Sequence, residues 1–388
     1  MCEYDSDRSP LCALMRFDLS PSFNLKDFER EEHIKLLVIF LNCSNIYFDM
    51  GIKLKDILIK KQIEFDDLSG KKIGVDFSNA AYQFLASIRQ RDGMPLMDSK
   101  GHITSHLVGL FSRTTNLMAR GVKLCYVFDG KPPAMKYGTT SEREEKKVEA
   151  EKRLQEAKEE EDIMAMMKYS KQSMRLTQEM VNEAKELIEA LGLPGVQAPS
   201  EADAQLAYMC QKGDVWAVAT SDVDPLVHGC PRTITNLTLS QKRKTSSGAI
   251  INIKPELIEL KELLSNLGIN RDQLIGLSIL VGTDYNPGGV KGIGSKKALK
   301  LVKENKDLDK IFKEVEADFD WKKIYALFKS MPVEKHYNLK WGNVDEDAVK
   351  KILVDRHDFS EERVNSTLSK VTKVKGSKDQ KGLDKWVK

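Results

Sequence analysis

From residue 71 onward the chain alternates two periodicities. Lys72-Ile-Gly-Val-Asp76 is a short apolar run ending on an acid, the pattern of a buried strand. Residues 79–89 then place Ala80, Phe84, Leu85 and Ile88 at helical spacing, and residues 104–118 repeat that helical pattern. Val122-Lys-Leu-Cys-Tyr-Val-Phe128 is a second strand; it ends on Asp129 and is stopped by Pro132 and Pro133. Residues 215–219 and 232–237 predict two more strands, and residues 257–267 and 271–281 predict helices, with a basic helix from Ser295. Strands alternating with helices predict an α/β fold: a mostly parallel central sheet flanked by helices.

Two stretches break the pattern. Residues 141–190 carry charge on every face in good helix formers, as in Ser141-Glu-Arg-Glu-Glu-Lys-Lys, which predicts a solvated helical insertion. Residues 1–49 lack clear periodicity, and Met50-Gly51 could open a domain by itself; translation is expected to start at Met50, the alternative being an ordinary N-terminal arm. After Ser366 the chain turns polar and rich in Lys, which predicts a flexible tail.

Composition narrows the class. The 388 residues are 41% hydrophobic, too apolar for a disordered chain, and 61 basic against 58 acidic residues leave a net charge of +3, too balanced to name a partner. Six scattered cysteines without a C-x-x-C pair argue against a zinc knuckle and a disulfide framework. The early apolar run, residues 36–41, is far too short for a membrane span. An intracellular, cytoplasmic protein without membrane attachment is expected.

The placement of acids carries the chemistry. Asp76, Asp129, Asp222 and Asp224 fall at or just past the C-terminal ends of predicted strands, the edge where open α/β sheets bind ligands. Asp284 sits at a helix-to-loop junction, and Glu201 and Asp203 open a helix. Ser200-x-x-Asp203 also has the form of a capping box, and an Asp after a strand is often only a turn residue. Taken together, however, carboxylates gathered at one edge repel, and divalent cations relieve the repulsion. Hard oxygen ligands without Cys or a His cluster suit Mg²⁺ or Mn²⁺, and two such ions form a phosphoryl-transfer device. Closely spaced glycines in Gly289-Val-Lys-Gly-Ile-Gly294-Ser-Lys-Lys-Ala298 precede a basic helix, so backbone N–H groups with Lys296 and Lys297 could meet a nucleic-acid phosphate.

Val75-Asp76, Tyr126-Val-Phe-Asp129-Gly-Lys-Pro-Pro133, Ala198-Pro-Ser-Glu201-Ala-Asp203-Ala, Thr220-Ser-Asp222-Val-Asp224 and Gly282-Thr-Asp284-Tyr-Asn-Pro-Gly-Gly occur in that order. In these motifs the chain from Met50 to its C-terminus resembles the flap endonucleases, structure-specific 5′ nucleases, most closely the archaeal type. The resemblance implies a PIN-like nuclease core over residues 50–285, with a helical arch at about 136–185. It also implies a helix–two-turns–helix element and helical region over 286–365, and a clamp-binding tail over 366–388. Asp76, Asp129, Glu201 and Asp203 would serve one Mg²⁺ and Asp222, Asp224 and Asp284 a second, with Mn²⁺ as a substitute. The family carries Glu where this chain has Asp203, one methylene shorter, so water would bridge the gap. Lys136 and Arg143 match the basic pair that clamps the scissile phosphate, and Tyr82 the aromatic that stacks on a base. Gly292, Gly294, Lys296 and Lys297 belong to the element that holds downstream duplex, often with a monovalent cation. Residues 357–363, ending on Arg363, resemble the region that recognises a one-nucleotide 3′ flap.

The tail Gln380-Lys-Gly-Leu383-Asp-Lys-Trp386-Val387 resembles the motif that docks on the sliding clamp, PCNA, with Val387 in place of the second aromatic. The implied function is metal-dependent 5′-flap cleavage of branched DNA by a monomer, with 5′→3′ exonuclease activity, in Okazaki fragment maturation and long-patch base excision repair. Two alternatives stand beside it. One is an exonuclease or junction resolvase of the same superfamily; the other is a non-catalytic, clamp-tethered DNA-binding adaptor.

Overall fold

A computed structural model describes residues 52, 54–238, 242–244 and 250–383. The expected N-terminal extension, the start at Met50-Gly51, and Trp386 and Val387 lie outside the described residues, as do the side chains of Gln380 and Leu383.

In chain order the elements are β1 (Lys61–Gln62), β2 (Lys72–Asp76), α1 (Phe77–Ser87), α2 (Ser105–Ala119), β3 (Lys123–Phe128), α3 (Tyr137–Glu159), α4 (Ile163–Gln172), α5 (Gln178–Ala190), β4 (Gly195–Gln197), α6 (Ala202–Gln211), β5 (Ala217–Ala219), α7 (Asp224–Val227) and β6 (Arg232–Thr235). They continue with a small hairpin, β7 (Lys242–Lys244) and β8 (Ile250–Asn252), then β9 (Glu256–Glu259), α8 (Leu260–Leu267), α9 (Arg271–Val281), α10 (Ser295–Glu304), α11 (Leu308–Glu314), α12 (Trp321–Ser330), α13 (Glu346–Lys350) and α14 (Glu361–Leu383). Seven strands form one sheet in the order β1-β9-β6-β5-β2-β3-β4; β6 through β4 run parallel, while β9 and β1 close one edge antiparallel.

Helices cover both faces, which is why the parallel strands read as continuous apolar runs. Along β3, Leu124, Tyr126 and Phe128 join a core with Phe84, Leu110 and Leu187, while Cys125 and Val127 pack with Leu206 and Met209 on the opposite face. The buried Tyr126 hydroxyl is satisfied by Thr114 Oγ1 at 2.7 Å. A further apolar cluster gathers α8 to α12 and reaches Ala204 of α6 and Leu226 of α7.

The contact between α1 and α2 requires a missing side chain. A Cβ on Gly109 would lie 2.2–2.7 Å from Phe84 atoms. Gly109→Ala is therefore expected to destabilise by about 1–2 kcal/mol, because overpacking outweighs the gain of about 1 kcal/mol in helix propensity. Thermal unfolding decides it; a melting temperature at or above the parent's contradicts the packing argument.

Four expectations need correction. The helix expected at 79 starts at Phe77, because the Asp76 side chain accepts the Asn79 N–H and caps it. Leu257 to Glu259 is strand, not helix: it pairs with Arg232–Thr235, so a partner strand overrides a locally helical pattern. The stretch 136–185, expected as a projecting helical insertion, is so only in α3 and α4: from Gln178 onward Met180, Ala184, Leu187 and Ile188 anchor α5 in the core. Residues 366–383, expected as a flexible tail, continue α14, seated by buried Val364, Leu368 and Val371 at helical spacing. Among the described residues no helix is long and apolar enough to cross a membrane.

Candidate metal and phosphate site

The parallel sheet delivers its acids to one edge. Asp76 ends β2, paired with Val127 of β3, so Asp129 emerges just beyond on the neighbouring strand. Asp129 Oδ1 accepts the Ala202 N–H at 2.8 Å, which fixes the first turn of α6 and with it Glu201 and Asp203. Glu201 is the N-cap residue without a side-chain cap bond, and the Ser200 hydroxyl turns to the Lys131 carbonyl, so no capping box forms. Asp222 and Asp224 leave β5 into α7. Asp284 follows α9 after Gly282, whose φ of +114° and backbone approach to Gly289 exclude a side chain.

The electrostatics reflect the proximity of these acids to one another. Burial, then repulsion from Asp129, pushes the Asp76 carboxyl up to about 7. Burial and Asp284 push Asp224 up to about 7 as well. Asp203 and Asp222 are raised well above the usual carboxylate range, by burial first and then by Asp76, Asp224 and each other's neighbours. Asp203 Oδ1 is buried without a hydrogen-bond partner, an oxygen whose desolvation nothing in the protein offsets. Uncompensated carboxylates of this kind fit divalent cations. Among the described residues, the three ligand atoms that meet within 4.8 Å belong to another group, Asp98, His102 and His357.

Two cations at the N-terminal end of α3 lean toward these acids. Lys136 Nζ pairs with Glu201 and lies 3.0 Å from Asp284 Oδ2. Burial pulls the Lys136 ammonium down, but Glu201 and Asp284 together hold it above its ordinary value, so it stays charged. Arg143 donates to Asp284 Oδ1 at 2.6 Å. Burial raises Asp284, and Lys136 and Arg143 more than reverse it. Arg143 also lines two cavities of about 600 and 620 Å³, the first holding Tyr82, Asp129, Lys136 and Glu201, the second Asp284, Gly288 and Gly294. Tyr82 is half-buried, with the Lys147 ammonium 5.6 Å from its ring centroid. Gly292, Gly294, Lys296 and Lys297 are exposed around the N-terminus of α10. Arg363 is exposed on the first turn of α14 and is not among the residues of either cavity.

Three residues were not singled out from the sequence. Asn79 donates to Asp222 Oδ2 at 3.0 Å and to the Ser221 hydroxyl at 2.9 Å, fixing the acidic loop. The Tyr285 hydroxyl donates to Glu201 Oε2. Asn286 accepts from the Thr283 N–H at 3.1 Å and orders the turn that carries Asp284. The last two lie inside the Asp284 motif, which offered a signal; Asn79 offered none beyond its place in the first turn after Asp76.

Comparisons with known proteins follow the same lines. The family model described as the XPG N-terminal domain matches residues 50–150, and that of the XPG I-region matches residues 192–284. Flap endonuclease 1 of Pyrococcus furiosus is 49% identical over 341 residues, 87% of this chain and 100% of the relative. That of Hyperthermus butylicus is 48% identical, again over 87% of this chain and 100% of its own. Among solved structures, flap endonuclease-1 from Methanococcus jannaschii superposes with a TM-score of 0.69 at 41% identity, covering 84% of this chain and all of that one. The catalytic core of Rad2, solved in complex with DNA substrate, shares the fold at a TM-score of 0.61 and 22% identity, over 82% of this chain and 97% of its own.

Proposed function

The chain belongs to the flap endonuclease family, and from that premise we propose how the carboxylate pocket and the foot of the arch perform the family's reaction. The protein is a structure-specific 5′-flap endonuclease, a hydrolase of DNA phosphodiester bonds of the kind used in Okazaki fragment maturation and long-patch base excision repair. The family is metal-dependent. In our reading Asp76, Asp129, Glu201 and Asp203 hold one Mg²⁺ and Asp222, Asp224 and Asp284 a second, with Mn²⁺ as a substitute. When bound, such ions supply a nucleophile at neutral pH and stabilise an in-line displacement.

The rest falls to the protein. Lys136 and Arg143 are cations at the arch base, and they pair with Glu201 and Asp284. A scissile phosphate entering the first cavity would take over these partners, so both groups would stabilise the charge that develops on it. Tyr82 in the same cavity offers a face for a base, worth about 1–3 kcal/mol by stacking. The backbone amides before α10, with Lys296, Lys297 and a monovalent cation, would hold the duplex phosphates. Arg363 would meet the 3′ flap, and the tail with Gln380, Leu383, Trp386 and Val387 would dock on the sliding clamp. The observation that carries this reading is the partnerless, buried oxygen of Asp203 among carboxyls that repel one another.

A labelled double-flap oligonucleotide tests it, set against gapped, bubble and four-way junction DNA. Mg²⁺-dependent cutting at the flap base is expected; no hydrolysis, or a preference for the four-way junction, would overturn the assignment. Lys136→Ala is expected to lower single-turnover cleavage about 100-fold or more while flap binding in Ca²⁺ changes little. A parallel loss of binding and cleavage would make Lys136 a docking residue instead.

A further inference from the structure

The histidines of this chain are few, yet three of them, His102, His106 and His357, meet two carboxylates, Asp98 and Glu183, that the acidic site does not use. Asp98 is enclosed, and its Oδ1 is occupied by two backbone donors, Lys100 N–H at 3.0 Å and His102 N–H at 2.8 Å. That anchoring aims Oδ2 at two imidazoles, His102 Nδ1 at 3.0 Å and His357 Nδ1 at 2.9 Å. The far side of the buried His357 ring is held by Glu183 Oε1 at 2.9 Å from Nε2.

From this geometry we propose that Asp98 Oδ2, His102 Nδ1 and His357 Nδ1 form a binding site for a late first-row transition metal, Zn²⁺ by preference, distinct from the carboxylate pocket. Three features carry it. The donor set is mixed nitrogen and oxygen, which suits Zn²⁺, Co²⁺ or Ni²⁺ rather than Mg²⁺. The spacing is compatible with coordination: ligands about 2.0–2.1 Å from a tetrahedral ion stand about 3.3 Å apart, the two contacts of Asp98 Oδ2 are 3.0 and 2.9 Å, and all three ligand atoms lie within 4.8 Å of one another. The third feature is independent of the first two. A ligating imidazole typically gives its other ring N–H to a carboxylate, and Glu183 already occupies that position on His357. The other Glu183 oxygen faces the buried ring of His106 at 3.7 Å.

Both His357 nitrogens face carboxylate oxygens, Asp98 on one side and Glu183 on the other. Charged groups around the ring are Asp98, Glu183 and Asp358, which holds Ser99 N–H at 2.9 Å, with Arg356 paired to Glu186 on the outer side. The bound ion would clasp the turn at residues 98–102 to the start of the C-terminal helical segment, 259 positions away in sequence.

The experiment uses the full-length, chelator-treated protein titrated with Co²⁺ alone, read by visible absorption. Intense bands of a four-coordinate ion are expected in the parent, quenched by one equivalent of Zn²⁺ and untouched by excess Mg²⁺. They are expected to persist in Asp222→Ala, which separates this site from the carboxylate pocket. His102→Ala changes an exposed side chain and should fold normally, yet it is expected to weaken Co²⁺ binding at least about 100-fold. Bands that are absent in the parent, lost in Asp222→Ala, or unchanged in His102→Ala would each overturn the proposal, and none of them would touch the assignment of flap cleavage.

Discussion

Replacing Asp222 by Ala is expected to lower flap cleavage at least about a thousandfold while leaving flap binding within a few-fold of the parent. The expectation follows from where the side chain sits. Asp222 lies between Asp76, Asp224 and Asp284, and Asn79 fixes it with a 3.0 Å hydrogen bond, so its carboxylate has one address and no substitute. It touches neither Lys136 nor Arg143 in the ion-pair pattern, so the phosphate-facing cations remain in place. Because burial and like charges raise its carboxyl well above the usual range, its removal should also relieve the metal-free protein. The variant in chelator should therefore melt no lower than the parent. Single-turnover cleavage of a labelled double flap, with thermal unfolding in EDTA, checks both halves. Cleavage within tenfold of the parent would end the two-cation account.

The second expected result concerns acid and metal together. Asp76 and Asp224 titrate at about 7 in the folded protein, against an ordinary 3.8 when unfolded. Between those values the native state binds more protons than the unfolded state, so stability falls as pH rises through the window. One carboxyl raised from 3.8 to about 7 corresponds to about 4 kcal/mol at pH 7.5, and the total is less than a sum because protonating one acid relieves its neighbours. Asp284 and Glu183, held below their ordinary values, lose their stabilisation only at lower pH and do not mask the effect. The EDTA-treated protein is thus expected to melt several degrees higher at pH 5.5 than at 7.5. Mg²⁺ should raise the melting temperature at pH 7.5 far more than at 5.5. Equal Mg²⁺ effects at the two values would show that these carboxyls do not share a cation.

Much of this was legible before any coordinates. Acids that end apolar runs at Asp76 and Asp129 forecast both the strands and the edge they converge on, because a buried parallel strand and its exit residue are local properties. The failures are where a distant partner decides. Leu257 and Leu260 continue with Leu263, Leu264 and Leu267 at helical spacing, yet the first turn of that pattern is claimed by β6. Val364, Leu368 and Val371 are sparse among lysines and gain meaning only from the groove that receives them. Asn79 matters because its amide reaches a loop 143 residues onward, and no window of sequence contains that fact. The meeting of Asp98, Glu183 and His357 is of the same kind: three elements bring together residues that share no motif.

The two outer strands of the sheet have a consequence for the protein in a crowded cell. One is the two-residue Lys61–Gln62 and the other the three-residue Gly195–Gln197, and Lys60 and Lys61 put positive charge at the first. Ribbons this short leave few unpaired amides in a row, too few to template a neighbouring molecule. Edges this short and charged are expected to disfavour pairing of this sheet with the sheets of neighbouring molecules.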